Sequence, residues 1–297
     1  MRLKVLKTER RNRATENFDS MTSLEMVQVM NREDAAVPRA IKRVLPDIAR
    51  AVDVISECFV KGGRLIYVGT GTSGRIGALD AAECPPTFGI RVEMVQFMIA
   101  GGENALVHAA EASEDSAELG KSDMAARKPG KRDVVVGLAA SGFTPYTVSA
   151  LQHARRKGAA TIAIACNRAS ALGEVADIRI EVEVGPEVLA GSSRLKAGTA
   201  QKLICNTLTT SAMARMGYVY SNLMVNMHLT NKKLLERGIA ILESLTGVDR
   251  ALAVETLETA DMSVPLALVM LKAHAGKAEA ARRLRKSKGN VRKAIEG

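Results

Sequence analysis

The chain has 297 residues, 47% of them hydrophobic and 25% charged, and its formal net charge is +10. This length and composition are typical of a globular enzyme with room for one large α/β domain and a smaller appendage. No apolar stretch is long enough for a membrane span, and residues 1–13 lack the apolar run and cleavage site of a signal peptide. We therefore expect a cytoplasmic protein without a membrane partner.

The excess positive charge lies at the two ends of the chain. Residues 1–13 carry six basic and one acidic residue and residues 271–297 carry nine and two, which leaves −2 for residues 14–270. Proteins that bind nucleic acid usually show a basic stripe with stacking aromatic residues, and no phenylalanine falls in either end. We therefore expect no nucleic-acid partner.

The four cysteines and four histidines are scattered along the chain. Because they form no CxxC pair and no closely spaced ligand set, the pattern predicts reduced thiols and no metal site. His228 stands alone just before Asn231, and a lone histidine is more often structural than catalytic.

In chain order, residues 8–31 are polar and irregular, with capping residues at Thr22 and Asn31, and residues 33–60 then show helical spacing. Apolar runs predict strands at residues 64–68, 92–97, 133–139 and 161–165, with a weaker one at 178–184. Helical patterns lie between them at residues 74–82, 105–119 and 145–157. Strands alternating with helices predict an α/β fold in which a doubly wound, mostly parallel sheet is covered on both faces.

The strand pattern stops after Gly191. Residues 196–229 predict one long helix with Gly217 as its weak point, and residues 231–245 continue as a helix. The remainder predicts short helices at residues 249–259, 264–273 and 277–286 and a last turn at 290–296. We therefore predict two domains, residues 1–240 and 241–297, the second a small helical module.

The first strand runs into a helix through a glycine-rich loop. Residues 69–74 match G-x-G-x-x-G, and Thr72 and Ser73 add hydroxyl donors at the start of the helix. A dinucleotide site would want an acidic residue at the end of the second strand, but residues 98–101 read Met-Ile-Ala-Gly. The loop therefore favours a phosphate group over NAD, and no Walker A sequence occurs.

Two more segments share this character. Ser141 and Thr144 follow the third strand just before a helix, and two parallel strands place their following loops on the same side of a sheet. A third segment opens the long helix with Ser192, Ser193 and Lys196. Three such segments in one domain predict a phosphorylated small molecule as ligand.

Two acidic groups could supply acid and base chemistry. Glu83 is followed by two prolines, which we expect to end the helix and to leave this carboxylate near a C-terminal end, where it holds its proton more readily. Glu111, Glu114 and Asp115 lie within one helical turn, and their spacing does not choose among them.

With these residues assembled, the chain resembles the N-acetylmuramic acid 6-phosphate etherase family, whose core is a sugar isomerase (SIS) domain. The resemblance extends over nearly the whole chain. It is strongest at residues 69–89 (GTGTSGRIGALDAAECPPTFG), 134–146 (VVVGLAASGFTPY) and 185–202 (GPEVLAGSSRLKAGTAQK). It implies an α/β/α SIS fold, a homodimer, no cofactor, and cleavage of the lactyl ether of N-acetylmuramic acid 6-phosphate in amino-sugar catabolism and peptidoglycan recycling.

The resemblance also implies roles for two residues. Glu83 corresponds to the family's proton donor, and Glu114 corresponds to its second catalytic residue. A sugar-phosphate aldose–ketose isomerase on the same fold, and a non-catalytic sensor like glucokinase regulatory protein, remain as alternatives. The sensor would tolerate loss of Glu83 without losing its ligand.

Overall fold

The computed structural model describes residues 6–108 and 113–297. Contacts divide the chain into a first unit, made of Met1–Ala82 and Glu93–Thr209, and a second unit, made of Glu83–Val92 and Thr210–Gly297. Residues 210–240 thus group with the helical part of the chain, and the sequence-based division at residue 240 stays a prediction.

The first unit is built on a parallel sheet. Its strands are β1 (Leu65–Gly69), β2 (Val95–Ile99), β3 (Val134–Ala139), β4 (Ala160–Ala165) and β5 (Ile178–Glu181). Their order is β2-β1-β3-β4-β5, and every neighbouring pair is parallel. The predicted α/β fold and parallel sheet are confirmed, although β2 begins later than predicted because Val92 lies exposed in the preceding turn.

Helices accompany the sheet along the chain. They are α1 (Ser23–Asp34), α2 (Ala36–Lys42), α3 (Leu45–Val60), α4 (Gly71–Phe88), α5 (Ala117–Ala126), α6 (Pro145–Arg156), α7 (Ala171–Glu174) and α8 (Lys196–Met216). Both α4 and α8 continue from the first unit into the second.

Both faces of the sheet are covered, which gives an α/β/α arrangement. On one face Ile66 and Val68 pack with Leu151 of α6 in an apolar core. On the other face Gly77 of α4 lies so close to β1 that an added Cβ would come within 2.8 Å of Tyr67 Cβ. The central strands β1 and β3 are buried throughout, as expected of parallel strands with helices on both sides.

The N-terminal region differs from the prediction. Residues 8–31 were expected to be irregular, but α1 forms there on a capping box in which Thr22 N–H donates to Glu25 Oε2 at 2.8 Å and Glu25 N–H donates to Thr22 Oγ1 at 3.4 Å. Asn31 lies inside this helix and does not cap it. Leu24 and Val27 of α1 stay exposed, so the apolar periodicity that marks a buried helix is weak here.

The helix that begins at the glycine loop is longer than predicted. We expected Pro85 and Pro86 to end it, but α4 continues through both to Phe88. It ends at Gly89, whose φ is +60° and whose N–H donates to Pro85 O at 2.9 Å. Asn226 Nδ2 donates to Phe88 O at 2.6 Å within the second unit, so the last turn is held by a side chain distant in sequence.

The long helix α8 is shorter than predicted. It ends at Met216 because Gly217 adopts the left-handed conformation, with φ +84°. Tyr218 N–H then donates to Met213 O at 3.1 Å, so residues 217–229 leave the helix. Gly217 is the weak point that the sequence indicated.

Helices complete the second unit. They are α9 (Lys232–Thr246), α10 (Arg250–Thr259), α11 (Val264–Lys272), α12 (Lys277–Lys286) and α13 (Val291–Glu296), and they confirm the helices predicted for the tail. Leu242, Leu257 and Leu268 contribute to their common apolar core. No helix among the described residues is long and apolar enough to cross a membrane.

Candidate active site

The carboxyl ends of β1 and β3 open onto a cavity of about 330 Å³ within the first unit. In a sheet of this strand order the winding reverses between β1 and β3, and ligands of such folds bind at that point. Separate segments of the chain line the cavity: the β1–α4 loop, the β3–α6 loop, Glu114, Ser193 and Glu9.

The β1–α4 loop is a close glycine turn. A Cβ on Gly69 would lie 2.9 Å from Gly74 N, so only glycine allows the strand to turn so tightly into α4. Gly71 has a φ of +47°, and a Cβ there would lie 3.1 Å from Glu114 Oε1. The Glu114 carboxylate therefore rests against this turn, at the end of α4 that favours negative charge.

Thr72 and Ser73, predicted to bind the substrate, both line the cavity. Ser73 Oγ donates to Gln201 Oε1 at 3.0 Å, and Gln201 Nε2 is buried without a hydrogen-bond partner among the described residues. Rotating the Gln201 amide by 180° would let Nε2 donate to Ser73 Oγ, which would leave the serine proton for a ligand. The substrate-binding role of both residues stays a prediction.

The β3–α6 loop brings Ser141 and Thr144 to the same cavity. Thr144 is the N-cap residue of α6, yet its hydroxyl makes no capping hydrogen bond, and Pro145 follows at the first helical position. Ser141 Oγ accepts a hydrogen bond from Phe143 N–H at 3.1 Å. Both hydroxyl groups thus keep a proton that they can donate to a bound anion.

The third predicted phosphate segment brings Ser193 to the cavity, but neither Ser192 nor Lys196 is among the residues that line it. The Lys196 side chain is only 2% exposed, and its Nζ lies 2.5 Å from Glu33 Oε2. The ammonium group is thus engaged by a carboxylate inside the first unit. The placement of Ser192 and Lys196 does not support the predicted contacts with substrate. Those contacts stay predictions.

Glu187 occupies the start of α8. Its two carboxylate oxygens accept the Lys196 and Ala197 backbone N–H groups, both at 2.9 Å. Burial raises the pKa of Glu187, although these hydrogen bonds act in the opposite direction. A phosphate therefore finds the first N–H groups of α8 already bound.

The acidic candidates are placed differently. Glu114 lines the cavity, whereas Glu83 is an exposed residue in the part of α4 that belongs to the second unit. Asp115 is exposed, and Glu111 lies outside the described residues. His228 is exposed in the second unit.

Arg75 adds a positive charge to the cavity lining. Its Nε donates to Leu106 O and its Nη2 to His108 O, each at 3.0 Å. It thereby ties the segment after β2 to the start of α4 while its charge favours an anionic ligand. Among residues 6–108 and 113–297, no three His, Cys, Asp or Glu side chains are grouped so that they could hold a metal ion.

Known proteins resemble this chain over its whole length. The N-acetylmuramic acid 6-phosphate etherase of Oenococcus oeni is 50% identical over 99% of this chain and 99% of its own. That of Clostridium beijerinckii is 47% identical over 100% of this chain and 97% of its own. This chain belongs to the N-acetylmuramic acid 6-phosphate etherase family.

Two family models match as well, that of the glucokinase regulatory protein N-terminal SIS domain at residues 47–155 and that of the SIS domain at residues 113–211. The phosphoheptose isomerase of Neisseria gonorrhoeae has a similar structure, with a TM-score of 0.52 and 17% identity, covering 65% of this chain and all of its own. At that identity the likeness shows the fold alone. The predicted SIS fold and family are confirmed.

Sequence reasoning missed Glu9, Arg75 and Asn167. Glu9 stands in a segment that the etherase resemblance covers, but nothing in its spacing connects it with a loop at residue 114. Arg75 directly follows the phosphate-type loop, and an arginine in a first helical turn usually points to solvent. Asn167 donates to the carbonyls of Ala140 and Ser141, both at 3.2 Å, and only the folded chain reveals that it supports the β3–α6 loop.

Proposed function

We propose that this protein cleaves the D-lactyl ether of N-acetylmuramic acid 6-phosphate to give N-acetylglucosamine 6-phosphate and D-lactate. The observation that carries the proposal is 47–50% identity to etherases over nearly the entire chain. A cavity with donor hydroxyls and a carboxylate at the switch point of the sheet supports it. The isomerase and sensor alternatives fit less well, because these relatives are etherases and their similarity covers both units of the chain.

The chemistry requires two proton-transfer groups and an anchor. The open-chain sugar has an aldehyde at C1, which makes the C2 proton acidic. A base removes that proton, the C3–O bond breaks, and an acid gives its proton to the departing lactate oxygen. Water then adds to C3 of the unsaturated aldehyde and C2 regains a proton, so the net reaction consumes one water.

We assign Glu114 as the base and Glu83 as the acid. The position of Glu114 against the glycine turn supports its assignment as the base. It puts a carboxylate in the cavity that the β1–α4 and β3–α6 loops line. The assignment of Glu83 rests on its place in the family motif at residues 69–89. We also propose a homodimer, again from the family. The α8 residues Ala197, Ile204 and Leu208 are already buried within one chain, so they do not themselves require a partner.

Replacing Thr144 by valine should raise KM for the phosphorylated substrate roughly 10- to 150-fold, with kcat little changed, because a hydrogen bond to a charged group is worth about 1.5–3 kcal/mol. The fold should survive, since the hydroxyl does not cap α6. Steady-state kinetics measure the effect, with Thr207→Val at an exposed position of α8 as control. An unchanged KM would remove Thr144 from the phosphate site.

The proposed activity is tested by incubating the pure protein with N-acetylmuramic acid 6-phosphate and measuring D-lactate with a coupled dehydrogenase. We expect one D-lactate for each N-acetylglucosamine 6-phosphate formed. The unphosphorylated sugar should be turned over far less efficiently, because it lacks the phosphate that we expect the β1–α4 and β3–α6 loops to bind. Absence of lactate, or formation of a ketose phosphate, contradicts the proposal.

A further inference from the structure

A second carboxylate, Glu9, lines the same cavity as Glu114. It belongs to a 3-10 turn, Lys7–Glu9, near the start of the described chain, and its side chain is half-buried. The elimination described above uses Glu83 and Glu114 and leaves Glu9 without a part.

The position of Glu9 is fixed by its neighbours in the chain. Thr8 is 1% exposed; its carbonyl accepts from Gly191 N–H at 3.1 Å and its Oγ1 accepts from Asn167 Nδ2 at 3.2 Å. Lys7 N–H donates to Asn167 Oδ1 at 2.8 Å, and Lys7 Nζ pairs with Glu183 at 2.6 Å. Asn167 also donates to the β3–α6 loop, so its side chain connects this turn with that loop.

The carboxylate of Glu9 itself lies on the backbone of Gly191. A Cβ at Gly191, where φ is +79°, would come within 2.9 Å of Glu9 Oε2. Among the described residues no cation forms an ion pair with Glu9, and its one side-chain hydrogen bond is a long one of 3.5 Å from Thr8 Oγ1. A half-buried carboxylate of this kind has unused capacity to accept hydrogen bonds.

The chemistry of a carboxylate limits what Glu9 can bind. It accepts hydrogen bonds and donates none, so it repels the phosphate and the lactyl carboxylate of the substrate. The sugar's hydroxyl and acetamido N–H groups are the donors that remain. We propose that Glu9 is a substrate-binding residue that accepts a hydrogen bond from a hydroxyl or amide N–H of the amino sugar, an inference that rests on the proposed function.

This assignment gives the N-terminal turn a purpose in the site. We expect the phosphate to contact the hydroxyl groups of Ser141, Thr144 and Ser193, which line the cavity, and the body of the sugar to extend between Glu9 and Glu114. Glu9 then selects a polyhydroxylated ligand over phosphate alone.

The test is calorimetric titration of wild-type, Glu9→Ala and Glu9→Gln protein with N-acetylglucosamine 6-phosphate and, separately, with inorganic phosphate. Glu9→Ala should raise Kd for the sugar phosphate about 10- to 150-fold, the range of a hydrogen bond to a charged group. Kd for inorganic phosphate should stay the same or fall, because a nearby negative charge is gone. Glu9→Gln keeps an accepting carbonyl and should recover part of the loss.

Glu16→Gln, at an exposed carboxylate of the same N-terminal segment, is the matched control and should behave as wild type. Wild-type affinity for the sugar phosphate in Glu9→Ala would overturn this proposal but not the proposed etherase function, which the lactate assay tests separately. Parallel loss of sugar-phosphate and inorganic phosphate binding also overturns it, because it would show that Glu9 only supports the phosphate loops. If the wild-type protein neither binds the sugar phosphate nor releases lactate, both the proposed function and this inference are wrong.

Discussion

Alanine variants of Glu83 and Glu114 should each lose turnover by about 10²–10⁴-fold, the usual contribution of a positioned acid or base. The two variants should differ in the step that they lose. Without Glu83 the base still works, so N-acetylglucosamine 6-phosphate should continue to exchange its C2 proton with solvent deuterium while lactate release stops. Without Glu114, exchange and release should fall together.

Nuclear magnetic resonance of the C2 proton in deuterated water, alongside the lactate assay, measures both steps. Glu118→Ala is a suitable control, because this carboxylate is 82% exposed at the start of α5, close in sequence to Glu114. Lactate release at near wild-type rate in Glu83→Ala would show that Glu83 is not the acid. Normal exchange in Glu114→Ala would assign the base to another group, with Glu111 and His228 next to be tested.

Replacing Glu33 by alanine should lower the free energy of unfolding by about 3–5 kcal/mol, because it leaves the buried Lys196 ammonium without its partner. Lys196 is 2% exposed, and Glu33 Oε2 accepts from both Lys196 Nζ and Asn12 Nδ2, at 2.5 and 2.8 Å. The pair connects α1 with the start of α8. Chemical denaturation followed by circular dichroism measures the change.

Glu57→Ala provides the comparison, since Glu57 pairs with Lys61 on the surface and such exposed pairs contribute about 0–1 kcal/mol. Equal effects of the two substitutions would show that the Lys196 pair has no special weight.

The contribution of Glu33 should also depend on pH. Partial burial raises its pKa, but the hydrogen bonds from Lys196 and Asn12 outweigh this and hold the pKa below the usual 4.5. Because the folded-state pKa is depressed, the stabilisation is fully present above pH 4.5 and is lost as the pH falls through the lower folded value. The difference between wild type and Glu33→Ala should therefore shrink in acid.

Much of the site's framework could be predicted because it follows from local rules. Parallel strands place their following loops on one side of the sheet, so the loops carrying Thr72 and Thr144 meet at one cavity. The tail helices were also predictable, because the capping residues and the apolar periodicity that define them are local features of the sequence.

What the sequence could not reveal depends on partners distant along the chain. Lys196 looked like a phosphate ligand beside two serines, but Glu33, 163 residues earlier, pairs with it. Glu9 reaches the site because Asn167 and Gly191 hold the turn to which it belongs, through Lys7 and Thr8. Local rules predict that α4 ends at its two prolines. The helix continues past them, and Asn226, which is distant in sequence, donates a hydrogen bond to its last turn.

The most direct test of the proposed elimination is the fate of solvent atoms during turnover of N-acetylmuramic acid 6-phosphate. The reaction is run in water enriched in both deuterium and oxygen-18, and the products are analysed by mass spectrometry. Cleavage of the C3–O bond predicts deuterium at C2 and oxygen-18 at C3 of N-acetylglucosamine 6-phosphate, with unlabelled oxygen in the lactate hydroxyl. Oxygen-18 in the lactate hydroxyl, or a product sugar without deuterium at C2, would contradict this mechanism.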